Sequence, residues 1–118
     1  MAYASSVVLA VTEIVRAGIV TTTLPTTPTA THGNKVLNDG KTFIEVNNGS
    51  GDSINVTIDC PGSVDGFAVA DLVVAVAAGV KKKIGPFTGT FSQADGYFWV
   101  VCSAVTTVTI GAFRLSNP

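Results

Sequence analysis

From residue 53 to residue 60 the side chains alternate without exception: Ile54, Val56, Ile58 and Cys60 are apolar, while Ser53, Asn55, Thr57 and Asp59 are polar. A repeat of two is what a strand buried on one face requires; a helix repeats its apolar positions every ~3.6 residues. The preceding run, residues 41–47, follows the same rule, with Thr42, Ile44 and Val46 on one face and Glu45 on the other. Asn38-Asp39-Gly40 marks its start, because Asn and Gly tolerate the positive φ of tight turns. Asn48-Gly49-Ser50-Gly51-Asp52 separates the two runs and predicts a hairpin loop between antiparallel neighbours.

Further strands follow from the same signals. Asp71-Leu72-Val73-Val74-Ala75-Val76 reads as a strand ended by Gly79, and residues 81–87 as a short one stopped by Pro86. Tyr97-Phe98-Trp99-Val100-Val101-Cys102 is dense enough in apolar residues for a central strand, and residues 105–115 form the last, with Val108, Ile110 and Ala112 inward. Turn clusters recur at roughly the 8–12-residue spacing of a sandwich or barrel. A chain of 118 residues suits one domain. The expected fold is all-β: a single-domain antiparallel β-sandwich, with jelly-roll, immunoglobulin-like and small-barrel strand orders all open.

Residues 5–20 are rich in Val and Ile. Val7, Val11, Ile14 and Val15 would also suit a helical stripe, but β-branching favours extended structure. Residues 21–31 hold two prolines among many threonines, which argues against a helix and for an extended arm. The chain is therefore divided into an N-terminal segment and arm, residues 1–31, and a sandwich domain, residues 32–118. Thr21, Leu24, Pro25 and Pro28 are the candidate partner-contact residues of the arm, which would reach another subunit or drape over its own domain. The start lacks the basic leader of a signal peptide, and Glu13 and Arg16 interrupt its apolar run. With no run near the roughly 20 apolar residues of a membrane span, the expectation is a soluble protein made in the cytoplasm, with no membrane partner. The sequons at Asn48 and Asn55 carry no meaning without a secretory route.

Charge is scarce: 47% of residues are hydrophobic and 13% charged, against about 25% charged in ordinary soluble domains. Such a chain is expected to cover apolar surface with copies of itself or with a partner, the alternative being a monomer faced with Thr, Ser, Asn and Gly. The net charge is −1, and Lys81-Lys82-Lys83 is the one basic run. That is too little for a nucleic-acid surface, and lysines of this kind also blunt an edge strand. Cys60 and Cys102 are expected as free buried thiols, with a bridge between two core strands left open.

The catalytic inventory is thin, and an enzyme is not expected. His32, the only histidine, lies in a Thr-, Gly- and Asn-rich stretch with no nucleophile motif beside it. Metal-ligand spacing is absent, and turn chemistry accounts for the Asp-Gly pairs at Asp39, Asp65 and Asp95, so no metal or cofactor is expected. Glu45 reads as a solvated charge on the outer face of its strand. Of Tyr97, Phe98 and Trp99, at most two share a face; core packing is the leading reading and a sugar-stacking platform the alternative.

Residues 38–51, NDGKTFIEVNNGSG, resemble a pattern found in small proteins of tailed bacteriophages, and the likeness continues through Val56-Thr57-Ile58-Asp59, Pro61-Gly62, Ile84-Gly85-Pro86-Phe87 and residues 105–115. The chain is similar, over roughly residues 16–115, to capsid decoration (cement) and other minor virion proteins. Cys60, Cys102 and the triple lysine depart from that pattern. The resemblance implies a homotrimer that binds the major capsid protein on the surface of the assembled head, at threefold or quasi-threefold sites. A neck, tail or head-fibre component, and a carbohydrate-binding β-sandwich, are the alternatives.

Overall fold

The computed structural model describes residues 6–19 and 33–115, and these form two β-sheets packed face to face as a sandwich. Among the described residues the strands are β1 (Val7–Val8), β2 (Val11–Ile14), β3 (Asn34–Leu37), β4 (Thr42–Asn48), β5 (Ile54–Ile58), β6 (Ser63–Val64), β7 (Phe67–Ala68), β8 (Leu72–Val76), β9 (Lys81–Ile84), β10 (Tyr97–Cys102) and β11 (Val108–Leu115). The larger sheet has the order β1-β3-β10-β5-β8, the smaller β2-β11-β4-β9, and β6 pairs only with β7.

The alternation seen in the sequence becomes the core. Ile54, Val56 and Ile58 of β5, Phe98 and Val100 of β10, Val36 of β3 and Val76 of β8 face inward from the larger sheet. Ile44 and Val46 of β4, Val108, Ile110 and Ala112 of β11, and Ile84 of β9 meet them from the smaller one. Phe87 lies between the layers against Phe98, with ring centroids 4.6 Å apart.

Three sequence-level expectations change. The sheets are mixed rather than wholly antiparallel, because β1 runs parallel to β3 and β2 parallel to β11. Only Leu9 and Ala10 separate β1 from β2, so the chain crosses from one sheet to the other without reversing. Leu9 is 3% exposed and belongs to the core. Residues 7–14 are therefore built into the sandwich and are not a segment ahead of it.

The third change concerns residues 41–60. They form two strands, as expected, but not a hairpin: β4 lies in the smaller sheet and β5 in the larger. The connecting residues 49–53 arch from one layer to the other, and Asn48 holds the corner. Its buried Nδ2 donates to the carbonyls of Asp52 (2.8 Å), Val76 (3.0 Å) and Ala77 (3.3 Å). Its Oδ1 accepts from the Ser50 amide (3.1 Å) and hydroxyl (2.6 Å). Period-two patterning fixes which face of each strand is buried, but it is silent on which strand lies alongside.

Candidate functional site

Among the described residues no group of three or more His, Cys, Asp or Glu side chains is placed to hold a metal ion. The strongest charge cluster joins Arg114 of β11 to Glu13 of β2 (2.7 Å) and to Asp39 in the turn before β4 (2.9 Å). With Lys41 and Leu115 these residues line a charged cleft of about 370 Å³. Desolvation works to raise the Asp39 carboxyl, but the Lys41 amide, the Thr42 hydroxyl and Arg114 outweigh it and lower the group from 3.8 to about 2. Arg114 is itself raised by hydrogen bonds from its guanidinium to Asp39 and Glu13. The cluster ties the edge strand β2 to the turn Asn38-Asp39-Gly40; every carboxylate in it is engaged with the arginine.

Glu45 is not the solvated charge that its place on the outer face suggested. It is 3% exposed, and its Oε1 lies 2.8 Å from Lys83 Nζ on the neighbouring β9. Phe43 and Phe113 pack beside it with ring centroids 6.0 Å apart, and Ile14 and Ile19 complete an apolar groove of about 330 Å³. Ile14 at the end of β2, with Gly18 and Ile19 after it, forms one wall of this groove. Sequence patterning could not reveal that a distant segment of the chain borders this outer face.

On the larger sheet the three consecutive aromatics separate as strand geometry demands. Phe98 is fully buried in the core, while Tyr97 and Trp99 lie half-buried on the outer face. Trp99 shares a shallow groove of about 280 Å³ with Thr57, Asp59, Asp71 and Val101. Lys35 Nζ sits 5.4 Å from the centre of the Tyr97 ring and 3.6 Å from Asp95. Gly33, with φ of +70°, is packed so closely that a Cβ there would lie 2.4 Å from the Val100 carbonyl oxygen and 3.1 Å from Trp99 Nε1. That contact fixes β3 tightly against the strand bearing Trp99.

Both thiols are free and buried, as the sequence suggested. Desolvation pushes Cys102 up from 9.0 to about 11, which makes it a poor nucleophile at neutral pH. His32 and the arm residues Thr21, Leu24, Pro25 and Pro28 lie outside the described residues.

What remains is the rim. Among the described residues the sandwich has four edge strands: β1 and β8 on the larger sheet, β2 and β9 on the smaller. β1 is two residues long, β2 carries Glu13, and β9 carries Lys81, Lys82 and Lys83, so the lysines do guard an edge. β8 is different: Leu72-Val73-Val74-Ala75-Val76 bears no charge, and Val73 is 56% exposed. Phe67, Leu72, Val73 and Val80 leave four large apolar side chains exposed within residues 67–80. No family model, curated protein or solved structure matches this chain.

Proposed function

We propose that this chain is a non-enzymatic virion structural protein of the decoration type, which binds the major capsid protein on the assembled phage head and stabilises the shell. The observation that carries the reading is the open, uncharged edge of β8, with exposed Leu72 and Val73, on a chain with few charges. Such a surface fits a protein whose work is to be covered by other protein. The phage-like motifs in residues 38–62 and 84–87 fall on β4, β5, β9 and their turns, the parts that build the scaffold.

The mechanism is linkage. A ligand that binds only the assembled shell stabilises it by RT ln(1 + [L]/Kd), about 2.7 kcal/mol per site at a hundredfold excess over Kd. Three copies engaged around one threefold or quasi-threefold site add avidity to a weak single contact. The arm, with Thr21, Leu24, Pro25 and Pro28, is the proposed reaching element, adding backbone hydrogen bonds at a neighbour's sheet edge. The test is reconstitution. Heads stripped of the protein should lose resistance to heat and low salt, and purified protein should restore it. Restoration by tails alone, or no binding to heads, overturns the reading.

One observation favours a second reading. Tyr97 and Trp99 share the outer face of the larger sheet, with Asp59 and Asp71 beside the indole. A flat aromatic surface bordered by acceptors suits a carbohydrate-binding module. Glycan binding abolished by Trp99→Ala would support it.

A further inference from the structure

We infer that the exposed edge of β8 is a self-complementary contact, through which two copies of this chain pair antiparallel across a twofold axis and join their larger sheets. The inference begins with the backbone. Asn55 is committed on the β10 side: its amide donates to Ser103 Oγ and its carbonyl accepts from the Ser103 amide. The Asp59 amide likewise donates to the Trp99 carbonyl. Strand backbone groups alternate in direction, so Ile54, Val56 and Ile58 point the other way, to β8. Their register partners there are Val76, Val74 and Leu72. Val73 and Ala75 therefore direct their N–H and C=O groups away from the sheet, towards the open rim.

Those two residues are matched for self-pairing. A twofold axis at Val74 sets Val73 of each copy opposite Ala75 of the other. Both residues point outward, so each such pair exchanges two hydrogen bonds, and the two pairs give four. One outward acceptor is already in use, since Lys82 Nζ donates to the Ala75 carbonyl at 2.9 Å. This exposed bond has to open on pairing.

Charge selects the occupant and its direction. Asp71, whose Oδ1 accepts from the Cys60 amide at 2.9 Å, precedes the strand with its second oxygen left to face a partner, and Lys82 sits beside the strand's far end. Antiparallel pairing about Val74 sets Asp71 opposite Ala77 of the second copy. That is one strand repeat of roughly 7 Å beyond the pair made by Ala75, towards the lysine released from its carbonyl. Parallel pairing would instead set like charges together. The strand itself contributes no charge to repel a copy, and the exposed side chains of Leu72 and Val73 gain cover. The three other edges are short or charged, so they do not compete. An isologous contact closes with two copies. It uses the same edge that the virion reading leaves open to other protein, but it follows from the backbone directions of β8 and does not rest on that reading.

The test uses the purified full chain. Light scattering coupled to size exclusion should give twice the chain mass in concentrated solution. Amide exchange at Val73 and Ala75 should slow as concentration rises, while Val74, already bonded to β5, should not change. Val73→Pro removes an amide that the protomer's own sheet does not use, so it should halve the mass while cooperative melting persists. Val73→Lys should do the same by charge repulsion, and Val8→Lys on β1 should leave the pair intact. A wild-type monomer at every concentration, or a dimer or trimer whose mass survives both Val73 variants, overturns the inference. Pairing in solution with no binding to heads would sink the virion reading and leave this one standing.

Discussion

Asn48 is the side chain on which the crossing between sheets depends. It is fully buried, and its carboxamide satisfies the carbonyls of Asp52, Val76 and Ala77 while accepting from Ser50. Asn48→Ala removes all of these at once. An unsatisfied buried polar group costs about 1–3 kcal/mol. The Val76 contact is buried, and those to Asp52 and Ala77 are partly so. The expected loss is therefore about 2–4 kcal/mol, a large share of the roughly 5–15 kcal/mol that holds a domain folded. Urea unfolding should show a lower midpoint with an unchanged slope. Asn48→Asp is the sharper variant, because it keeps the shape but turns an acceptor towards three carbonyl oxygens. At neutral pH it should be at least as damaging as alanine, with partial recovery when acid restores one donor. An Asn48→Ala protein within ~0.5 kcal/mol of the parent, or an Asn48→Asp protein as stable as the parent at pH 7, would refute the corner.

Other outcomes are equally definite. Val56→Asp places an unpaired charge in the centre of the core, at a position with no exposure, and should abolish the cooperative melt seen by circular dichroism. Asp39 has a folded value of about 2 against an ordinary 3.8, so the stability it supplies is whole above the ordinary value and is lost as pH falls through the folded one. Acid titration of Asp39→Asn should show a shallower decline in that window, by on the order of 1 kcal/mol after allowance for solvent screening. Cys102, buried and raised to about 11, should resist iodoacetamide in the folded protein and react on unfolding; rapid labelling of the native chain would contradict its burial.

The strands and their inward faces were legible because burial writes itself into a repeat of two. Ile54, Val56 and Ile58, and Val108, Ile110 and Ala112, all face the core as their spacing required. Partnership was not legible. The same local signals serve a hairpin and an arch, and the difference lies in Asn48, whose acceptors at Val76 and Ala77 are nearly thirty residues away. The parallel strands β1 and β2 were hidden for a similar reason. Their partners are β3 and β11, so nothing within their own few residues encodes the pairing. Glu45 read as solvated because alternation places it outward, whereas it lies buried in a groove it shares with Phe113, Ile14 and Ile19 from other strands and segments. The triple lysine was legible as an edge guard, since charge on a strand has few other uses. The rim position of β8 became visible only once the strand order was known.

The proposed virion role turns on where the chain resides in a purified phage preparation. Density-gradient fractions of intact virions, separated heads and separated tails, quantified by mass spectrometry against the major capsid protein, give that directly. A fixed stoichiometric ratio in the head fraction, lost when heads are stripped, is the predicted result. Presence only among unassembled proteins, or in tails without heads, would contradict it.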